Sequence, residues 1–269
     1  LTRRANSYFA YGRVVYRGAQ AHLFGRWHID RKNAMMFNEY GLDGVLEQTR
    51  VTGIGVQEMA RKSPGAGITA MQMLTALKTG VMVPMHKQQA EGRKTLARLI
   101  QADRGGLIYQ PIIGIHRDVA QIDFSSMYPS IMVNYNISPE NENVGSDILS
   151  LEVTEPTGLI PQTLKPLLEK RLQMKQMLSE LSAQDCEIKS LKARAAALKW
   201  LLVVCFGYLG YKNARFGKIE SHEAVTAISR ELMLQAKEVA EDLGFTVLHM
   251  YVDSLFVQKE GVKDRSQFL

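Results

Sequence analysis

The sequence predicts an α+β fold: an antiparallel sheet with packed helices and an inserted helical hairpin. Three observations predict it. The second half of the chain reads, in order, as a strand, a long helical pair, a third helix and a β-hairpin. The helical pair carries apolar residues at helical spacing along two arms. The strand near 119–124 and the hairpin near 245–258 are short apolar runs bounded by turn residues. Composition agrees, since 269 residues with 46% apolar and 22% charged content make a folded, soluble chain with room for a substantial core.

Taken in order, Val14 and Val15 sit in a strand, and a helix fits 42–50. A second helix over 56–62 is stopped by Ser63-Pro64-Gly65. Ile68, Met71, Leu74 and Leu77 mark a third, closed by Gly80. Leu96, Leu99 and Ile100 mark a short helix ending near Asp103, and Gly105-Gly106 breaks the chain. The strand at 119–124 carries Asp123 near its end, and 126–135 follows as a helix or tight turn. Leu159-Ile160-Pro161 opens the helical pair. Its first arm carries Leu164, Leu167, Leu168, Met174, Leu178 and Leu181. A turn at 182–185 leads to Ile188, Leu191, Ala195, Leu198 and Leu202, and Gly207 and Gly210 end the second arm. A helix over 221–243 shows Val225, Ile228, Leu232, Val239 and Leu243, with Gly244 as its cap. Strands at 245–251 and 255–258 then flank Val252-Asp253-Ser254.

The net charge is +6, and its location matters more than its size. Between Pro161 and Lys218 there are eleven Lys/Arg against four Asp/Glu, a surplus of seven, so the rest of the chain sums to −1. Two cysteines, Cys186 and Cys205, exclude a disulfide framework and a Cys-rich zinc site. The longest uncharged apolar run, 200–211, is too short to span a bilayer, so no membrane partner is expected. No signal peptide is visible and the chain opens at Leu1 without a Met, which suggests a cytoplasmic protein whose true N-terminus lies upstream.

Two carboxylates stand out by position: Asp123 at a strand end beside Ser125, Ser126 and Tyr128, and Asp253 in an apolar hairpin turn. If their strands are neighbours, both point into one cleft. Two carboxylates with substrate phosphates are a usual way to hold Mg²⁺. The same positions also suit a helix cap at Asp123 and an Asx-turn at Asp253. On the helical pair, Arg171 and Lys175 share one face, and Lys192 and Lys199 lie seven apart on the other arm. Four such cations could grip a triphosphate, or form an ordinary solvated face. Lys199 lies beside Trp200 in an apolar stretch, and a buried lysine there would need a partner.

Asp123-Phe-Ser-Ser-Met-Tyr128-Pro129-Ser130-Ile131 resembles the first palm motif of family B DNA polymerases, Asp-x-x-Ser-Leu-Tyr-Pro-Ser-Ile, and Asn136-Ile-Ser-Pro139 fits its continuation. Lys199 through Gly207-Tyr208-Leu209-Gly210 resembles the second, Lys-x-x-x-Asn-Ser-x-Tyr-Gly. Val252-Asp253-Ser254-Leu255-Phe256-Val257 resembles the tail of the third, Asp-Thr-Asp-Ser-x-Phe-Val. All three occur in family order. Gly25-Arg26 and Ile29-Asp30 look like the end of the family's exonuclease-like domain, and Ser63-Pro64-Gly65 and Val83-Pro84 fit the connection into the palm.

The resemblance implies a polymerase palm with an inserted fingers hairpin. It divides the chain into an exonuclease-like tail (1–30), a helical connection (31–105), a first palm segment (106–158), fingers (159–218) and a second palm segment (219–269). It implies a DNA-directed DNA polymerase of DNA replication or repair, acting on primer–template DNA and dNTP. Asp123 and Asp253 would be the catalytic ligands of two Mg²⁺ ions (or Mn²⁺), helped by the Phe124 carbonyl. Ser126 and Met127 would offer backbone amides to the triphosphate, and Tyr128 would pack under the deoxyribose. Arg171, Lys175 and Lys199 would bind the triphosphate. Tyr208 and Gly210 would lie near the DNA.

The departures from the family pattern are specific. The first aspartate of the third motif is Tyr251, and a phenol brings no charge to a metal at neutral pH. Asn and Ser of the second motif are Val203 and Val204, and its Tyr is Phe206. Lost hydrogen bonds at about 1 kcal/mol each would weaken nucleotide handling by roughly one to three orders of magnitude. The paired exonuclease carboxylates are not found, and Asp30 and Asp43 read as structural, so proofreading is not expected. The thumb and N-terminal segments of such a polymerase are also missing from these residues. The pattern resembles divergent prokaryotic members with an eroded third motif, which leaves a catalytically impaired DNA-binding or scaffold subunit as the alternative.

Overall fold

A computed structural model describes residues 2–10, 13–21, 23–31, 33–85, 92–102, 104–141, 156–181, 185 and 187–262. The chain opens with β1 (Thr2–Arg3), β2 (Asn6–Ala10), β3 (Arg13–Arg17) and β4 (Gln20–Ala21). Helices α1 (Phe37–Thr52), α2 (Val56–Met59), α3 (Pro64–Thr79) and α4 (Leu96–Gln101) follow. Then come β5 (Ile108–Tyr109), β6 (Ala120–Asp123), α5 (Met127–Asn134), α6 (Leu159–Glu180), α7 (Ile188–Gly210), α8 (Ile219–Asp242), β7 (Thr246–Tyr251) and β8 (Ser254–Gln258). This is the α+β order that the sequence predicts. Two compact units result: residues 1–83 with 166–205, and residues 84–165 with 206–269.

In the first unit, β1 pairs with β4 and β2 with β3, both antiparallel, and Val14 and Val15 lie on β3 as expected. Helix α1 bends at Gly41 (φ 58°), a left-handed conformation that costs glycine little, and regular helix resumes at Leu42. α2 is shorter than the predicted 56–62. Pro64 opens α3 instead of only ending the previous helix, because the first helical turn has no use for the N–H that proline lacks. Gly80 closes α3 in the left-handed conformation (φ 72°), as predicted.

The predicted apolar stripe of α3 does not hold. Ile68 is buried, but Leu74 is 44% and Leu77 72% exposed. Steps of three residues drift about 60° per step around a helix, so the fourth residue reaches the opposite side. The buried line instead runs Gly65, Ile68, Gln72, Ala76. The core of this unit gathers Tyr40, Val45, Val56, Ala60 and Ala197, with Trp200 packed against them. Gln48 bridges it, accepting from Tyr40 Oη (2.8 Å) and donating to the Ala197 carbonyl (3.1 Å).

Helix α7 is long and apolar enough by length and composition to cross a membrane, although its longest uncharged run is not. Its Leu191, Ala197, Leu198, Leu201 and Leu202 are buried within the protein, as in a core helix. Gly207 lies inside α7, which runs on to Gly210, so only the second of the two predicted stops ends it. Cys205 is buried and free, and burial pushes its thiol up to about 12. Cys186, Asp103 and residues 182–184 of the predicted turn lie outside the described residues.

The second unit is built on a four-stranded antiparallel sheet in the order β5-β7-β8-β6. Val247, Met250, Leu255 and Val257 are buried on one face, and α8 contacts both α5 and β7. Val225 and Ile228 of α8 are buried as predicted, whereas Val239 and Leu243 are exposed at its far end. The start of α6 is held by a polar network. Asn136 Oδ1 accepts from the Gly158 N–H (2.7 Å), and Ser138 Oγ accepts from the Ile160 N–H (3.1 Å) while donating to Glu140 (2.7 Å). These bonds satisfy amides that the first helical turn leaves without intrahelical partners.

Candidate active site

Strands β6 and β8 are hydrogen-bonded neighbours, as a common cleft for the two carboxylates requires. Their register sets Asp123 opposite Ser254, one residue from Asp253. The Phe124 N–H donates to the Asp253 carbonyl (2.9 Å), which joins the end of β6 to the hairpin turn. Asp253 itself closes a tight turn, with its N–H donating to the Tyr251 carbonyl (2.7 Å). Val252, at the centre of that turn, has φ 58°. A β-branched residue is strained there. Ser126, three residues after Asp123, is also left-handed at φ 54°. Unfavourable backbone next to Asp253 and three residues past Asp123 persists only where surrounding contacts hold it, and such strain clusters at functional sites.

Those contacts are visible at Val252. Its N–H donates to the Leu107 carbonyl (2.8 Å). Its side chain fills the space beside Gly106, where a Cβ would lie 2.9 Å from Val252 Cγ1 and 3.2 Å from Tyr128 Oη. Gly106→Ala is therefore expected to overpack this corner and cost about 1–3 kcal/mol of stability. The shift of the urea unfolding midpoint measures it.

Burial first, and then the negative charge of Asp123, push the Asp253 carboxyl above its ordinary range, while its own backbone N–H acts in the opposite sense. Ser254 Oγ donates to Asp123 Oδ1 (2.7 Å) and accepts from Gln121 Nε2 (3.3 Å). Two carboxylates held so that one destabilises the ionised form of the other gain from a cation between them. Oxygen donors of this kind suit Mg²⁺ or Mn²⁺. Among the described residues no group of three or more His, Cys, Asp or Glu forms a metal-binding cluster, so the carboxylate set stops at this pair. Tyr251 is 55% exposed, with its ring 6.3 Å from that of His249.

The other predicted residues fall as follows. Met127 is buried at the start of α5, and Phe124 is half-buried just after β6. The Tyr128 ring lies 4.4 Å from Phe206, which stacks on His222 at 4.1 Å. Tyr208 and Gly210 occupy the last turn of α7. A Cβ on Gly210 would lie 2.7 Å from His222 Cδ2, so this approach needs glycine. Arg171, Lys175 and Lys199 belong to the first unit. Arg171 is half-buried, which lowers its pKa, and Lys175 is exposed. Lys199 is also exposed, so the expectation of a buried lysine is corrected: an ammonium is costly to bury, and this one occupies a solvent-exposed position of α7. Val203 is exposed as well.

Sequence reasoning assigned no role to Ser254, Gln121 or His222. Strand alternation from Asp123 would have put Gln121 on the same face, but only the register reveals Ser254 as the group that joins them.

A family model described as DNA polymerase family B matches residues 64–260. DNA polymerase 2 of Saccharolobus solfataricus is 37% identical over 222 residues, which are 81% of this chain and 33% of that protein. A DNA polymerase of Archaeoglobus fulgidus is 31% identical over 80% of this chain and 27% of its own length. The solved family B DNA polymerase of Pyrobaculum calidifontis superposes with a TM-score of 0.59 at 31% identity, covering 82% of this chain and 29% of that one. The chain thus spans about a third of the length of these relatives. The family match takes in both aspartates, the strands that carry them and the long helices between, and on that ground the chain belongs to DNA polymerase family B.

Proposed function

We propose that these residues are the palm and fingers of a DNA-directed DNA polymerase that joins a dNTP to a primer 3′-hydroxyl opposite a template base. One observation carries the reading: Asp123 and Asp253 stand together where β6 meets the β7–β8 turn, with the Asp253 carboxyl pushed up by burial first and then by its neighbour's charge. Two Mg²⁺ ions, or Mn²⁺, held by Asp123, Asp253 and the Phe124 carbonyl would supply the positive charge that phosphoryl transfer needs. The chain's own groups then bind and orient. The Ser126 and Met127 amides open α5, where backbone N–H groups suit phosphate oxygens. Tyr128, braced by Phe206, presents a rigid ring to the sugar. Arg171, Lys175 and Lys199 would neutralise the triphosphate, and Tyr208 and Gly210 would meet DNA. The 3′-hydroxyl gives up its proton to solvent as its oxygen bonds to the α-phosphorus, the α–β phosphoanhydride bond breaks, and pyrophosphate leaves.

The test is extension of a labelled primer–template by the protein with single dNTPs, in Mg²⁺, in Mn²⁺ and in EDTA. Incorporation that follows the template base and needs metal supports the reading. No incorporation with either metal overturns it.

A second reading is favoured by Tyr251 and Val203, which replace polar family residues and are both exposed. It is a DNA-binding or scaffold subunit with impaired catalysis, held to DNA by phosphate contacts whose affinity falls steeply with salt. Tyr251→Asp separates the two. A polymerase with one weakened ligand set should gain about tenfold in extension rate at limiting Mg²⁺ from a restored carboxylate. A scaffold whose site has decayed elsewhere should gain nothing.

A further inference from the structure

We infer that Ser254 is a positioning residue for the Asp123 carboxylate, and that Gln121 sets the direction in which Ser254 acts; this rests on the reading of Asp123 as a metal ligand. The three side chains form a short relay across two strands. Gln121 and Asp123 lie two apart on β6 and so share a face of the sheet, and Ser254 is paired directly with Asp123. Ser254 Oγ donates to Asp123 Oδ1 at 2.7 Å, and Gln121 Nε2 donates to the same Ser254 oxygen at 3.3 Å. A hydroxyl has one proton. Because the Gln121 amide arrives as a donor, that proton is committed to Asp123. Ser254 is only 7% exposed, so bulk water competes little for it.

The consequence concerns rotamer freedom. Asp123 is an exposed side chain at a strand end, and an unheld carboxylate there samples several orientations. One fixed oxygen restricts the carboxylate before a cation arrives. Partners of metal-ligating groups typically change metal affinity by about 10–100-fold when removed. Ser254→Ala is therefore expected to raise the Mn²⁺ dissociation constant about tenfold, and Gln121→Met about threefold. Ser254→Thr, which returns the hydroxyl, should recover most of the loss.

The measurement is an electron paramagnetic resonance titration of free Mn²⁺ against the native chain, S254A, S254T, Q121M and D123N, with circular dichroism confirming that each is folded. In primer extension, S254A should raise the half-saturating Mg²⁺ concentration while the rate at saturating Mg²⁺ stays near native, a split that general loss of structure would not produce. Since Gln121 is exposed, Q121M keeps the test available if S254A does not fold. Native Mn²⁺ affinity in S254A and Q121M, with D123N impaired, overturns the positioning role and leaves the metal reading intact. Native affinity in all the variants, D123N included, overturns the metal reading beneath it.

Discussion

Asp123→Asn and Asp253→Asn are each expected to reduce primer extension by about a thousandfold, roughly 4 kcal/mol of transition-state stabilisation. Each change is nearly isosteric, so the sheet should survive it. What is lost is a full negative charge from a site that, among the described residues, has only two carboxylates. The family's third motif has an aspartate at the position of Tyr251, which would add a third carboxylate. Here Tyr251 supplies none, so neither aspartate has a substitute. The two substitutions should also be far from additive, because either one alone dismantles the shared site. Single-turnover extension at saturating dNTP measures the effect. A loss under tenfold in both variants would remove the metal-ligand assignment.

The second large effect is expected in stability. Glu47 has a fully buried side chain, and three cations converge on it. Arg194 Nε lies 2.8 Å from Oε2, Arg50 Nη1 3.3 Å from the same oxygen, and Lys170 Nζ 2.5 Å from Oε1 as an ion pair without a well-directed hydrogen bond. Within the first unit this ties α1 to α6 and α7 over more than a hundred residues of sequence. Breaking a buried pair costs about 3–5 kcal/mol when the surviving charge is trapped. Lys170 and Arg194 remain 37% and 33% exposed and can partly rehydrate. Glu47→Ala should therefore cost about 2–3 kcal/mol, read from the urea midpoint. Arg50→Ala, which removes a cation that is 62% exposed, should cost less than about 0.5 kcal/mol.

Glu47 also sets a pH dependence. Burial alone raises its pKa, but Lys170 and Arg194 outweigh burial and leave it below its ordinary value of 4.5. A carboxylate whose folded pKa is depressed contributes stability above the unfolded value and loses it as pH falls through the folded one. The native protein should thus lose stability steeply below about pH 4.5, and Glu47→Gln should show a flatter acid limb.

How much of this was legible depended on the range of the interaction. Asp123 at a strand end, Asp253 in a hairpin turn and Gly80 at a helix end are local features, and each is where alternation and capping put it. The α3 stripe was misread because apolar residues at a spacing of three drift around a helix. The buried side of α3 instead meets Leu201, far along the chain, together with Thr52 and Met59, which close on Gly67. Lys199 was misread for a related reason: a lysine amid apolar residues looks buried in one dimension, yet lies on the solvent side of α7. Glu47 gave no signal beyond an Arg three residues on, since Lys170 and Arg194 reach it from distant helices.

The sequence by itself determined the α+β order of elements, the two aspartates and their motifs, and the concentration of positive charge on the long helices. These follow from periodicity, turn chemistry and spacing, which are properties of neighbouring residues. Only the tertiary structure decided that β6 lies beside β8, that Val252 takes a strained turn to hold Asp253 next to Asp123, and that Ser254 and Gln121 stand behind Asp123. Strand pairing and register are contacts between segments more than a hundred residues apart. They are selected by which face of each strand can be buried, and that choice exists only once the sheet and its helices have packed together.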